Sequence, residues 1–480
     1  MNENFEIVIG LEVHAELNTE SKIFCSCKNE FGAEPNTRCC PVCAGMPGTL
    51  PVLNQQVVES AIKMGHALHC EINNVTKSDR KNYFYPDLPK AYQISQFDVP
   101  LCGKGYLDIL VNGEVRRIGV TRIHIEEDAG KLIHDDQSGG TLADYNRCGV
   151  PLIEIVSEPD LRSADEAKAY MESIAEILLY LGISEAKMEQ GNMRADVNVS
   201  VRPRGQAEYG TRAEMKNVNS FSAVHRAVLY EANRQIEILS KGGTVEQETR
   251  RWDDVKGKST LMRTKEDAQD YRYFPDPDLL TFVIPAEKVE ELKVAVPELP
   301  LAKTQRYMQE FGLSEYDATL LAGQKQRATF FDAAAAYNLC EPKAIANWLL
   351  GDILKVLNDN KQELEDTALT PKNLAEMIEL IEKGTVSGTA GKKVLDTILE
   401  KDIAPAEVVK QKGLAQISDT SALTAVVDTV LAKNPKAVED YKGGKTNVLA
   451  FIIGQCMKES RGQGNPAILK EMVEKALQKL

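Results

Sequence analysis

The 480-residue chain has no uninterrupted apolar run long enough to span a bilayer, which excludes a helical membrane anchor. Its start, Met1-Asn2-Glu3-Asn4-Phe5-Glu6, has neither a basic flank nor an apolar h-region. No secretory signal is therefore expected, and the chain reads as cytosolic. Positive charge is scarce: 57 Lys and Arg stand against 71 Asp and Glu, a net charge of -14. That excludes a surface coated for indiscriminate nucleic-acid binding. A P-loop pattern and a protein-kinase signature are both missing, and Gly242-Gly243 has no phosphate-loop context. If the chain binds ATP, it does so on a sheet. Internal repeats and low-complexity tracts are absent too.

What is present is a globular composition, 43% hydrophobic and 27% charged, in a chain long enough for roughly three domains at about one per 150 residues. Residues 1–295 alternate short strand-like runs with turns such as Asn112-Gly113, and read as one large α+β unit built on a mainly antiparallel sheet. Its clearest helix is Ser163 to Leu181, with Ser163 and Glu166 as a capping-box pair and Gly182 as the stop. Beyond Pro297 and Pro300 the strand signal disappears, and residues 296–405 read as a helical domain, with Thr370 capping a helix whose first position is Pro371. Residues 406–480 read as a small helical tail domain, its last helix capped by Asn465. The tail carries 11 Lys plus Arg against 8 Asp plus Glu, which leaves -17 for the rest of the chain. Electrostatically it is a different object.

Side chains two apart in a strand share a face, so parity sorts core from site. In Leu11 to Leu17 the odd positions are apolar while Glu12, His14 and Glu16 share the other side. Arg122, His124 and Glu126 likewise share a side. So do Arg194, Asp196, Asn198 and Ser200, and so do Arg212, Glu214 and Lys216. For any single strand the ordinary reading is a solvated face of an antiparallel sheet. Four strands that mix His, Arg, Asn and carboxylates point instead to phosphate and hard-cation chemistry. Carboxylates with one imidazole or amide and a nucleotide phosphate can complete the shell of Mg²⁺, while Arg and Lys neutralise a transferring phosphoryl group.

Two stretches, Asp79 to Pro86 and Asp270 to Pro275, interleave Tyr and Phe with Arg and Lys. Such aromatics stack on ATP or on an unpaired nucleic-acid end, or else pack a rigid loop. Five of the ten cysteines lie between Cys25 and Cys43. Cys25-Ser26-Cys27 and Cys40-Pro41-Val42-Cys43 are two close pairs able to fold onto one tetrahedral Zn²⁺, and four thiolates leave no open position, so the site is structural. Reduced structural cysteines or a redox C-x-x-C are the other readings, the latter disfavoured because no βαβ context precedes it. Cys39 is a spare thiol beside Cys40, and Cys70, Cys102, Cys148, Cys340 and Cys456 read as small packed residues.

Ile9-Gly10-Leu11-Glu12-Val13-His14, Phe31 to Asn36, Arg80 to Pro86, Lys90 to Gln96, His124 to Lys131, Pro151 to Asp160, Glu214-Met215-Lys216-Asn217 and Asp270 to Pro275 together resemble the B subunit (GatB) of the tRNA-dependent aspartyl/glutamyl amidotransferases. The resemblance runs the whole length. It implies a cradle-shaped first domain, a helical middle and a mobile tail, the last two engaging tRNA outside the acceptor end. It also implies a heterotrimer in which an amidase, the A subunit, frees ammonia, and a small C subunit holds the other two together. This chain would bind Glu-tRNA(Gln) or Asp-tRNA(Asn), phosphorylate the side-chain carboxylate with ATP and Mg²⁺, and let ammonia displace phosphate. Carried over by residue, Glu12, His14 and Glu126 match the family's metal positions, with Glu214 a further member. Asp196, Asn198, Lys81 and Arg272 are implied nucleotide or phosphate contacts. Zinc rests on this chain's own Cys25, Cys27, Cys40 and Cys43, since family members differ in these cysteines. Lys442 to Lys445 and Lys458 to Arg461 in the tail are expected at tRNA phosphates. A non-catalytic, zinc-containing tRNA-binding scaffold and a free-standing ligase for a small carboxylate are the rival readings.

Overall fold

The computed structural model describes residues 4–135, 139–264, 270–416, 420–442, 445, 447–460 and 463–479. They form two compact units, Met1–Lys303 and Thr304–Leu480. The chain is α+β as its pattern predicts: a large, mainly antiparallel sheet in the first unit, helices throughout the second.

The sheet of the first unit has eight strands. From edge to edge they are Lys258–Thr264, Glu248–Asp253, Ala213–Val218, Met193–Pro203, Phe5–Glu16, Pro151–Ser157, Glu114–Glu127 and Gly105–Val111. Neighbours run antiparallel except Ala213–Val218 and Glu248–Asp253, which are parallel and joined across the helix Phe221–Ser240. Phe5–Glu16 lies near the middle, between Met193–Pro203 and Pro151–Ser157. Its odd-numbered side chains Ile7, Ile9, Leu11, Val13 and Ala15 are buried under the helices Gln55–Ala67, Ala164–Leu181 and Phe221–Ser240. Fully burying a side chain such as Ile9 or Leu11 stabilises the fold by about 1.5–3 kcal/mol. A one-residue slip would put Glu12 and His14 in that core instead, so the register is strongly specified.

Local signals place the helices. Ser163 Oγ accepts from Glu166 N at 3.1 Å, and Gly182 ends the helix at φ 67°, a left-handed conformation that glycine adopts without a Cβ penalty. The Glu166 carboxylate reaches back to Arg162 N at 2.6 Å, one residue before the expected capping-box partner. Opposite the helices, a three-stranded sheet of Phe274–Pro275, Asp79–Asn82 and Tyr92–Ser95 brings the two aromatic, basic stretches together.

The second unit holds two separate hydrophobic clusters. One contains Phe331, Leu374, Ile398, Val408 and Val409, so the helix Pro405–Lys412 packs with the helices before it. The other contains Leu423, Val427, Ile452, Leu469 and Val473. Thr370 Oγ1 accepts from Asn373 N at 3.2 Å and Asn465 Oδ1 from Ile468 N at 3.3 Å, the caps read from the sequence. Of the basic tail stretches, Gly443, Gly444 and Arg461 lie outside the described residues. Among those described, no helix is long and apolar enough to cross a membrane.

Candidate functional site

The polar face of the sheet is the floor of a cavity of about 680 Å³. Strand pairing sets its layout. Glu12 lies across from Asp196 on one side, and His14 is flanked by Arg194 on one neighbour and Glu154 on the other. Glu154 in turn faces His124, and Asn198 faces Glu214. The even-numbered positions that parity singled out therefore meet, but in two groups rather than one.

In the first group His14 Nε2 lies 3.6 Å from Glu126 Oε1 and 3.4 Å from Glu154 Oε2, while His124 Nε2 lies 3.3 Å from Glu154 Oε2. Burial opposes protonation of both imidazoles, yet the neighbouring carboxylates outweigh it and raise both, His124 to about 9. Burial likewise opposes the charged form of Glu154, and His124 and His14 nevertheless hold it well below the usual carboxylate range. The donor atoms of His14, Glu126 and Glu154 fall within 4.8 Å of one another. An octahedral Mg²⁺ with arms near 2.1 Å spaces adjacent donors by about 3 Å, so a small closure suffices for this trio to share one.

The second group is Glu12, Asp196 and Glu214, also within 4.8 Å of one another. Burial, then the charges of Glu154, Asp196 and Glu214, raise Glu12. Lys216 bonds Asp196 and lies 3.1 Å from Glu214 Oε1. Asn198 Nδ2 donates to Glu12 Oε1 at 3.1 Å, and Thr249 Oγ1 to Glu214 Oε2 at 2.8 Å. A protein ammonium already offsets part of the charge of this trio, so a cation there competes with Lys216.

Two further parts complete the cavity. At one end Asp128 accepts from Arg194 Nη2 at 2.5 Å and lies 3.5 Å from Arg147 Nε. Burial and the Asp128 charge push Glu16 up to about 8, so it stays protonated at neutral pH beside Asp128. On the opposite wall Lys81 Nζ stands 4.8 Å from the Tyr271 ring and 5.8 Å from that of Tyr83, and Phe97 stacks on Tyr273 at 4.3 Å. No carboxylate among the described residues lies within ion-pair distance of Lys81. Arg272 is exposed at φ 43° and is not among the cavity-lining residues; the flanking Tyr271 and Tyr273 are.

The cysteines form a separate centre. The Sγ atoms of Cys25, Cys27, Cys40 and Cys43 fall within 4.8 Å of one another. Zn–S bonds near 2.3 Å space tetrahedral sulfurs by about 3.8 Å, close to the 3.9 Å between Cys40 and Cys43. The set fits a closed Zn²⁺ site. Cys39 Sγ also approaches Cys43, at 3.8 Å, but stands outside the mutually close four. The hydrogen bond from Cys25, opposed by burial and helped by Cys40 N–H and Lys22, pulls Cys43 down to about 4. The loop is tied to the segment before Arg147: Asn36 N donates to Asp144 Oδ1 at 3.0 Å and Arg38 N to Asn146 Oδ1 at 2.7 Å.

Of the residues singled out from the sequence, Glu12, His14, Glu126, Glu214, Lys81, Asp196 and Asn198 all line the one cavity, and Arg272 does not. Sequence reading missed Glu154, whose signal was a lone carboxylate inside the apolar run Leu152 to Val156. It placed His124, Arg194 and Lys216 on polar faces without giving them a task.

Comparison with known proteins follows the same outline. A family model described as the GatB/GatE catalytic domain matches residues 7–290, and one described as a GatB domain matches residues 329–477. The B subunit of the aspartyl/glutamyl-tRNA(Asn/Gln) amidotransferase of Caldicellulosiruptor bescii is 54% identical over 479 residues, covering 99% of this chain and 100% of the relative. Those of Brevibacillus brevis and Thermoanaerobacter pseudethanolicus are 53% and 51% identical, each covering 99% of this chain and 99% and 100% of the relative.

Proposed function

Since the chain belongs to the GatB family, the B subunits of the aspartyl/glutamyl-tRNA(Asn/Gln) amidotransferases, we propose that its sheet-floored cavity is the ATP-dependent, carboxylate-activating site of that ligase. The substrate is Glu-tRNA(Gln) or Asp-tRNA(Asn), and the setting is the cytoplasm. A side-chain carboxylate oxygen attacks the γ-phosphorus of ATP and ADP leaves. Ammonia then attacks the acyl carbon, the phosphate departs with the bonding pair, and a proton is lost to give the amide. Activation is needed because a carboxylate is a poor acceptor for ammonia, whereas phosphate is a good leaving group.

The observation that carries this reading is the company His14, Glu126 and Glu154 keep: two carboxylates and an imidazole placed to hold one cation in one cavity with Lys81, Arg194, Lys216 and Arg263. Mg²⁺ at this trio would supply charge neutralisation for the transferring phosphoryl group. Lys81 offers an ammonium already turned into the cavity, and burial, which disfavours its charge, is outweighed by Glu126. Tyr271 and Tyr273 offer ring faces for a base. The chain's own residues thus bind, orient and shield the acyl phosphate from water. Ammonia would come from an amidase partner, with a small third partner holding the heterotrimer together, and the cysteine centre would hold Zn²⁺ as a structural clamp.

The test uses the reconstituted complex. Glu126→Ala and Glu12→Ala should abolish ATP cleavage that depends on misacylated tRNA while charged tRNA still binds. Full cleavage in both variants would favour a non-catalytic tRNA-binding scaffold instead.

A further inference from the structure

Lys22 is a fully buried charged residue that the proposed chemistry does not use. Its side chain is 1% exposed, among the largest fully buried ones in the protein. It sits in the short hairpin that carries the first cysteine pair, with Lys22 N donating to Cys27 O at 2.9 Å and Ser21 bridging to Lys28. Nζ donates to Cys148 O at 2.7 Å and lies 3.7 Å from Cys43 Sγ. Among the described residues no carboxylate comes within ion-pair distance of it. A buried ammonium is strongly unfavourable without a counter-charge, and such groups are paired or found beside metal centres. The group of opposite charge within reach is the cysteine tetrad.

The charges come closer to balance when the tetrad is occupied. Four thiolates around Zn²⁺ carry a net charge of two negative units, and one ammonium at 3.7 Å from a ligand sulfur halves the imbalance. We propose that Lys22 is the counter-cation of the four-cysteine centre, a positioning residue that sets metal affinity without being a ligand. Its second bond, to the Cys148 carbonyl, fixes the ammonium beneath the tetrad. This rests on the zinc reading given above and adds to it a residue that ligand spacing does not contain.

The full-length chain is prepared as wild type, Lys22→Met, which keeps the length and removes the charge, and Lys22→Arg. Zinc content is measured by elemental analysis and zinc affinity by competition with a chromogenic chelator. Partners outside the first shell typically change metal affinity by about 10–100-fold. Lys22→Met should therefore bind zinc about 10–100-fold more weakly, and Lys22→Arg within a few-fold of wild type. Zinc-free Lys22→Met should keep the circular dichroism spectrum and the cooperative melt of zinc-free wild type. That second readout separates lost compensation from a damaged fold. Should Lys22→Met not fold, Lys22→Gln carries the same affinity expectation. One tightly held zinc per wild-type chain with unchanged affinity in the charge-removing variant overturns the role of Lys22 alone. A wild-type chain that binds no zinc overturns the zinc reading and Lys22 with it.

Discussion

The Oε2 atom of Glu154 lies 3.4 Å from Nε2 of His14 and 3.3 Å from Nε2 of His124, so one buried carboxylate oxygen holds two imidazoles from two flanking strands. Glu154→Gln keeps the shape and removes the charge that orients both rings. Losing one such preorganised group typically costs a factor of about 10²–10³ in turnover. ADP release dependent on Glu-tRNA should fall by at least that much in the reconstituted complex, with charged-tRNA binding unchanged in a filter assay. Wild-type turnover in this variant would remove the trio from the chemistry.

Lys216 is the built-in cation of the second trio. Lys216→Met leaves Glu12, Asp196 and Glu214 facing one another. Breaking a buried pair costs about 3–5 kcal/mol, but the Lys216 side chain is 32% exposed, so a screened cost of about 1–3 kcal/mol is expected. Millimolar Mg²⁺ should restore part of it. Denaturant melts with EDTA and with Mg²⁺ test both halves, and equal stability of variant and wild type in EDTA would contradict the assignment.

Glu176 on the helix Ala164–Leu181 is raised to about 7 by burial and then by Glu172. Its folded pKa exceeds its unfolded one, so the native state binds the extra proton between roughly pH 4.5 and 7. Stability is greatest below that window and falls as pH rises through it. At about 1.4 kcal/mol per unit over that window the loss is at most on the order of 3–4 kcal/mol. Glu176→Gln should flatten this slope and be more stable than wild type at pH 8. Parallel urea titrations from pH 5 to 8 are the check, and an unaltered slope would show that Glu176 is solvated.

Cys39 and Cys40 adjoin, yet Cys40 belongs to the close four and Cys39 does not. Cys39→Ala should keep one zinc per chain, whereas Cys40→Ala should lose zinc. The reverse result would exchange the two ligands.

A truncation that tests the tail must spare the helix Pro405–Lys412, since Val408 and Val409 pack in the core before it. Ending the chain before Thr420 removes the last hydrophobic cluster only. If that part grips tRNA phosphates, KM for charged tRNA should rise about tenfold or more, with a shallower salt dependence. An unchanged KM in a steady-state assay would place tRNA binding elsewhere.

Parity made the polar, cavity-lining face legible, because alternation of Glu12 and His14 with Leu11 and Val13 needs only local sequence. It could not show register. Glu12, His14, Glu126 and Glu214 read as one metal set, whereas pairing across the sheet assigns Glu12 and Glu214 to Asp196, and His14 and Glu126 to Glu154. The convergence of the four cysteines was visible because they come in two close pairs. That Arg272 stands off the cavity lining was not legible, because its positive φ lies in an aromatic, proline-rich stretch where strand alternation gives no guide. Nothing local marks Lys22 either, since its burial comes from Cys43 and Cys148 closing over it.

The first strand, Phe5–Glu16, finds its sheet neighbours only at Pro151–Ser157 and Met193–Pro203. At the usual rate of about 5–20 residues per second of synthesis, it waits roughly ten to thirty seconds after leaving the ribosome for a partner on either side. During that interval both its edges and its row of Ile, Leu and Val are available to other chains. Glu12 and Glu16, with the polar His14 between them, then act as gatekeepers against premature stacking. The strand face that contributes Glu12 and His14 to the cavity floor in the finished protein thus has an earlier task, keeping the nascent strand single until its neighbours arrive.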